Sequence, residues 1–381
     1  MAGSTKILII VSVLMTLLNY IFLIDEKASY GNSQIKTNST KVERSSSRAL
    51  VILDDWNMIE THSLFWDQLR GASYQLEFKM VDDSSIKLDF YGEQIYETII
   101  LCVPSLTDDS AKNSELAVKK ILKNFDEGHN LMIIADKNVN SYLRNLVTEF
   151  GVDFDDYDSQ VKDSLYLHSS KTYLNPDLVE LRDNEIIVTK NVIPVKNVFR
   201  HPNNYILYEG IGLEADSHNN YLFTALRAED NTYSVNSNNG LYYNFGEKIK
   251  LVAAYQGKNN KRVTISGSSS LCSNKFYFLS SIDGTDPLNS PNAQFCHDLI
   301  FWNTQKTGVL KYENVRHQRK SDGKTLDIYR IKDEIEYMVD IYEYDFKTDS
   351  WKPYLTDDLQ IEYTMMDPFY RLQLRMLKLG Q

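Results

Sequence analysis

Residues 7–24, ILIIVSVLMTLLNYIFLI, break the alternation of apolar and polar positions seen along the rest of the chain. They carry no charge, and no later segment matches them. A buried helix of a globular protein usually keeps one polar face, whereas this run is apolar on all sides. Lys6 and the amino terminus precede it, and Asp25, Glu26 and Lys27 follow it. The positive end stays cytosolic, so the remainder of the chain is expected to cross the membrane. The run is longer than a typical secretory core and barely long enough to span, and Asn19 weakens the spanning reading. Residues 1–31 therefore read as a signal peptide cut after Gly31, with an uncleaved signal anchor as the alternative. Residues 32–47 read as a Ser/Thr/Asn-rich polar linker. They hold the chain's one N-x-[ST] sequon, Asn38-Ser39-Thr40, a candidate glycan acceptor.

From Arg48 onward, short apolar runs alternate with helical spacing. ALVIL ends in Asp54-Asp55 and reads as a buried strand. Thr61 is placed to cap a helix through Leu69, with Gly71 as its stop. YQLEFKMV alternates as a half-buried strand; TIILCV ends at Pro104, and LMIIA ends at Asp136. Between them, residues 114–127 carry Leu116, Val118, Ile121, Leu122 and Phe125 at helical spacing before Gly128. A further helix spans 141–150, ahead of Gly151. Strands joined by helices of this length predict a parallel sheet with helices on both faces. After an irregular acidic stretch at 152–182, four more strands are predicted: EIIVTK, YILYEGIGLEA, KLVAAYQ and RVTISGS. Asn259-Asn260 forms a turn between the last two, and AQFCHDLIFW is the closing helix. Residues 48–305 thus form one two-lobed α/β region, with a sub-boundary near residue 170 as the alternative division. Beyond Gly308, residues 334–341 and 359–365 alternate strictly, predicting an antiparallel, sandwich-like β module over 306–381.

The net charge of −11 argues against a nucleic-acid-binding surface spread over the molecule. Residues 311–332 hold seven basic and three acidic side chains, and 333–367 hold two basic and eleven acidic. Such a contrast suits either a solvated face or a docking surface. Of three cysteines, Cys102 sits in an apolar strand and reads as inert core. Cys272 and Cys296 lie in less apolar stretches, where an oxidising compartment would permit a disulfide.

In sheets of this type, ligands bind beyond the carboxyl ends of the strands, which here carry Asp54, Asp55, Pro104, Ser105 and Asp136. Asp54 and Asp55 can accept hydroxyl groups, and Glu60, Thr61, His62 and Ser63 open a helix whose free N–H groups attract anions. No nucleophile elbow is present; Gly267-Ser268-Ser269-Ser270 follows a strand but lacks the second glycine. The histidines have no metal-binding spacing, and no phosphate loop or dinucleotide fingerprint occurs, so no metal or cofactor is expected. Asp153 and Asp155 form a D-x-D, a pattern by which many glycosyltransferases hold a metal and a sugar nucleotide. They lie in an acidic run that also suits a solvated loop.

RALVILDDWNMIETHSLF, with the following segment through Tyr91-Gly92-Glu93, resembles the start of the 48 kDa non-catalytic subunit family of the oligosaccharyltransferase complex. Further segments resemble that family in collinear order to about residue 370: Glu209 to Asp216, Asn259 to Ser268, Trp302 to Leu310, and Asp367-Pro368-Phe369. A Glu127-Gly128-His129 sequence stands where the family has three glycines. The resemblance implies a glutamine-amidotransferase-like, doubly wound sheet without its cysteine elbow. It also implies a lumenal accessory subunit in the endoplasmic reticulum membrane, bracing a separate catalytic membrane subunit and receiving lipid-linked oligosaccharide. The family continues into further strands and a membrane helix, so the β module is expected to be incomplete at Gln381. A lumenal glycosyltransferase using Asp153 and Asp155, or a secreted carbohydrate-binding protein, is the alternative reading.

Overall fold

The computed structural model describes residues 47–112, 114–163, 186–192, 205–281, 286–330, 332–356, 359–364 and 369–375. The apolar run at 7–24, Asn38 and the proposed sub-boundary near 170 lie outside the described residues. Among those described, no helix is long and apolar enough to cross a membrane.

Ser45–Gln305 forms one compact unit. Its chain order begins β1 (Ser47–Leu53), α1 (Asn57–Thr61), α2 (Ser63–Gly71), β2 (Tyr74–Met80) and a two-residue-per-strand hairpin, β3 (Asp89–Phe90) and β4 (Glu93–Gln94). There follow β5 (Thr98–Cys102), α3 (Asp108–Ala111), α4 (Val118–Glu127), β6 (Asn130–Ile134), α5 (Ser141–Thr148), β7 (Val152–Phe154) and β8 (Ser159–Asp163). Next come β9 (Ile187–Thr189), β10 (Ile206–Tyr208), β11 (Leu213–Ala215), β12 (Leu222–Arg227), β13 (Thr232–Asn236) and β14 (Tyr242–Phe245). The unit closes with β15 (Lys250–Gln256), β16 (Arg262–Ser266), α6 (Asn274–Leu279) and α7 (Pro291–Asn303).

Nine strands form the main sheet in the order β2-β1-β5-β6-β16-β15-β11-β7, with β12 also paired to β15. The first five are mutually parallel. The rest extend the sheet antiparallel, a departure from the all-parallel expectation. The chain runs from β1 outward to β2, then returns past β1 to β5, which places the topological switch between β1 and β5. Both faces are covered, so the parallel strands read as continuous apolar runs. Leu50, Ile52, Ile99, Leu101, Leu131 and Ile133 share one core with α4 and α5. Met132 and Ile134, of opposite parity, line a small space with Phe65 of α2 and Leu299 of α7.

Helix α4 ends at Gly128, whose φ of 119° turns the chain so that the following N–H, of His129, reaches the Asn124 carbonyl at 3.1 Å. It starts at Val118, four residues after the expected start. Gly71 does not itself break α2: Ala72 is the cap, and Ser73 takes the left-handed turn at φ 67°. The predicted strand over 205–215 divides into β10, which pairs with β9 in a two-stranded sheet, and β11, which joins the main sheet; Gly210 and Gly212, between them, leave no room for a Cβ. Strands β8, β13 and β14 make a separate three-stranded sheet.

The second unit includes β17 (Leu310–Arg319), β18 (Ile335–Asp345) and β19 (Ser350–Pro353) in one antiparallel sheet, and β20 (Gln360–Thr364) with β21 (Phe369–Gln373) in another. Leu310, Ile341, Tyr354 and Leu359 form its core, with Tyr312, Val339 and Leu374 against it. The α/β region followed by a β-sandwich-like module is the fold expected from the sequence.

Candidate functional site

The switch crevice is built by the loops after β1 and β5. Asp54 follows β1 directly, and its Oδ2 accepts the Ser105 N–H at 3.0 Å. Asn140 donates to the Ser105 carbonyl at 2.8 Å and so ties the third loop to the second. Asp55 is exposed and folds back on its own turn, accepting the Asn57 N–H at 2.9 Å. Trp56 stands beside it, half exposed. These carboxylates can accept hydroxyl groups.

The segment Glu60–Ser63 behaves differently from expectation. The helix begins at Asn57, so Thr61 is its last residue and not an N-cap; its hydroxyl lies 3.0 Å from the Asn57 carbonyl. The α1–α2 junction falls at His62, which supplies no side-chain cap. His62 is buried, and its Nε2 meets the Ser269 carbonyl at 2.8 Å while Nδ1 meets the Thr61 hydroxyl at 2.9 Å. The neutral ring that fits a carbonyl partner carries its proton on Nε2. Asn274 completes the tie: its amide donates to the Glu60 carbonyl and the Ser63 hydroxyl, each at 2.9 Å. Its oxygen accepts the Leu64 N–H at 3.1 Å. That N–H, expected to be open to an anion, is thus occupied. Asn274 was missed from sequence because it lies more than 200 residues from its partners.

Ser269 links this tie to the third strand end, donating its hydroxyl to Asp136 Oδ2 at 2.5 Å. His62, Ser269 and Asp136 are therefore neighbours, but they do not form a nucleophilic relay. The imidazole engages the backbone oxygen of Ser269, and the serine hydroxyl goes directly to the carboxylate. Ser268 spends its hydroxyl on the Glu209 carbonyl. The segment after Ser269 is fastened covalently as well: Cys272 and Cys296 form a disulfide, with Cα atoms 5.9 Å apart. Cys102 is free and buried, and burial pushes its thiol far up.

Asp153 and Asp155 do not converge on a metal. Asp153 is exposed and accepts the Thr148 hydroxyl at 2.8 Å. Asp155 is 8% exposed and accepts from the Ser234 hydroxyl and, at 3.2 Å, the Asn244 amide. Burial raises its pKa, the opposite of what a metal-binding carboxylate needs. Among the described residues, no group of three or more His, Cys, Asp or Glu is placed to hold a metal ion.

Burial lowers the His62 pKa, outweighing its backbone hydrogen bonds and the Asp136 charge. An unfolded chain therefore binds the His62 proton more tightly than the folded one does. The stability contributed by the neutral ring is present above about pH 6.5 and is lost as pH falls from there through the folded pKa. His62→Gln is expected to cost about 1–3 kcal/mol at pH 7 by disturbing the Ser269 contact. It should also flatten the decline of the thermal midpoint between pH 7 and 5. Parallel declines in both proteins would show that His62 does not carry this dependence.

The fold and the crevice define a doubly wound α/β domain whose strand-end loops are locked by polar ties, followed by an antiparallel β module. Within that class, the chain belongs to the OST48 family: residues 40–306 match the OST48 N-terminal domain and residues 317–381 the OST48 middle domain. It is 33% identical over 333 residues to the dolichyl-diphosphooligosaccharide–protein glycosyltransferase 48 kDa subunit of Arabidopsis thaliana. That alignment covers 84% of this chain and 73% of the plant protein. The Drosophila melanogaster subunit of the same name is 28% identical, with 89% and 76% covered. The Caenorhabditis elegans subunit is 27% identical, with 87% and 74% covered. Among solved structures, the carbohydrate deacetylase Agd3 aligns at a TM-score of 0.35 and 8% identity, covering 68% of this chain and 33% of that one. A putative ThuA-like protein from Parabacteroides merdae aligns at 0.30 and 10%, covering 68% and 88%. Scores this low carry no functional meaning.

Proposed function

We propose that this chain is an accessory, non-catalytic subunit of the oligosaccharyltransferase complex of the endoplasmic reticulum. In this role it supports transfer of dolichol-linked oligosaccharide to Asn of N-x-[ST] sequons. The observation that carries the reading is the match to two successive OST48 domains, in order, over residues 40–306 and 317–381. Relatives from plant, fly and worm are named as subunits of that glycosyltransferase. The chemistry then belongs to a different, membrane-embedded subunit, and this chain braces it from the lumen. The apolar run at 7–24 supports delivery of the bulk of the chain into the lumen, and the Cys272–Cys296 disulfide suits that compartment.

The placement of His62 and Ser63 supports a structural role for both, as ties between α2 and the segment 269–274. Asp54, Asp55, Glu60 and Thr61 remain the candidates for contact with a glycan. The test is depletion. Loss of this chain should lower sequon occupancy on a secreted reporter by several fold, and the tagged chain should co-purify with the catalytic subunit. A solubilised complex that lacks the chain, together with full occupancy on depletion, would overturn the reading.

A further inference from the structure

A second cavity lies at the end of the sheet opposite the switch crevice, beside the starts of β1 and β5. It is a solvent-open groove of about 500 Å³, lined by Arg48, Ser85, Lys87, Phe90, Gln94 and Tyr96. That volume suits a ligand of one or two rings. Its described lining has two cations and no carboxylate. Arg48 lies over the Tyr96 ring at 5.1 Å and gives one guanidinium nitrogen to Glu77 at 2.7 Å. Its other N–H groups have no partner among the described residues. Lys87 is exposed. Ser85 accepts from Lys79 at 2.8 Å and gives its hydroxyl proton to the Asp83 carboxylate, so it offers the groove no free donor. Gln94 donates to the Glu127 carbonyl, which leaves its side-chain oxygen as an acceptor. Phe90 is 59% exposed and packs edge-on against Tyr91 at 4.6 Å, at the tip of the β3–β4 hairpin.

Three features narrow the ligand. The two charged donors, Lys87 and the guanidinium edge of Arg48 not used by Glu77, favour an oxyanion over a neutral molecule. The exposed Phe90 ring offers a flat apolar face of the kind that packs against a sugar ring. The Gln94 oxygen can take a hydroxyl. We propose that this groove binds a phosphorylated sugar, with Lys87 and Arg48 on the phosphate, Phe90 against the ring and Gln94 on a ring hydroxyl. The proposal does not rest on the subunit assignment, since it is read from the groove alone and tested without the complex.

Titration calorimetry on the full chain in detergent would compare glucose 6-phosphate, inorganic phosphate, glucose and tetraglutamate. Glucose 6-phosphate is expected to bind saturably and at least tenfold more tightly than the other three. Lys87→Glu should weaken it tenfold or more, whereas Lys119→Glu, an exposed charge on α4, should leave it unchanged. Phe90→Ala should bring it down to the affinity of inorganic phosphate. Three results would each overturn the proposal: no saturable binding of glucose 6-phosphate, equal affinity in the Lys87→Glu protein, or equal or tighter binding of inorganic phosphate or tetraglutamate.

Discussion

Gly267→Ala is expected to lower the stability of the α/β unit by about 3 kcal/mol, at the upper end of what overpacking usually costs. Gly267 follows β16, where the chain turns into the serine-rich segment that holds His62. A methyl group there would overlap the Ile211 carbonyl oxygen and come within 2.6 Å of the Tyr208 hydroxyl. The neighbour cannot yield easily. The Ile211 N–H is bonded to the Gly267 carbonyl at 2.9 Å, and the Tyr208 hydroxyl donates to the Ile211 carbonyl at 2.6 Å. Gly210 meets the same strand from the other side, where a Cβ would lie 2.9 Å from the Ser268 Cα. Both glycines are needed for space, so the cost falls on the folded state. Gly71→Ala is the control. It sits at the end of α2 with nothing within 4 Å of a new Cβ, and alanine there should be neutral or stabilising by about 0.5–1 kcal/mol. Urea unfolding of the three proteins checks the pair. A Gly267→Ala midpoint equal to that of the unchanged protein would contradict the close approach.

The elements legible in the sequence are those whose burial is local in origin. β1, β5 and β6 are unbroken apolar runs because helices cover both sheet faces, and β15 and β16 were readable for the same reason. α4 and α5 showed through their helical spacing. β17 gave no signal, because polar and charged residues from Glu313 to Arg319 occupy both faces and only Val315 among them is apolar, so nothing alternates. β7 is only three residues long, and β8 and β12 to β14 mix polar with apolar residues, so no unbroken apolar run marks them. The candidate site was legible only in part. The strand ends placed Asp54, Asp55, Ser105 and Asp136 at the carboxyl edge of the parallel strands. The roles of His62 and Ser63 were not legible, because the groups that occupy them, Ser269 and Asn274, arrive from more than 200 residues away. Four polar residues in a row look like a helix start open to ligand; here the third and fourth of them are spent within the fold.

Asn292→Leu is the other substitution expected to act strongly, at about 3–5 kcal/mol, because it removes a clasp that no other residue duplicates. Asn292 is fully buried in the first turn of α7. Its oxygen accepts the Leu207 N–H at 2.9 Å, and its amide donates to the Leu207 carbonyl at 2.8 Å and the Leu271 carbonyl at 2.9 Å. One side chain thus mimics a strand neighbour for β10 and also fastens the turn that carries Cys272. Leucine fills a similar volume, so the loss is polar: one N–H and one carbonyl of Leu207, and the Leu271 carbonyl, lose their partner away from water. Each such group costs about 1–3 kcal/mol when left unpaired, and relaxation keeps the sum below the simple total. The effect should also be local enough to observe without full unfolding. With the turn at 270–272 released from α7, the Cys272–Cys296 disulfide, otherwise buried, should be reduced and alkylated several fold faster in mild reductant at temperatures where the sheet is intact. The test therefore has two readouts, the denaturation midpoint and the rate of thiol trapping. A destabilised protein whose disulfide is trapped no faster would mean that Asn292 supports the core generally and does not hold the turn. A protein unchanged in both would mean that the three contacts contribute nothing.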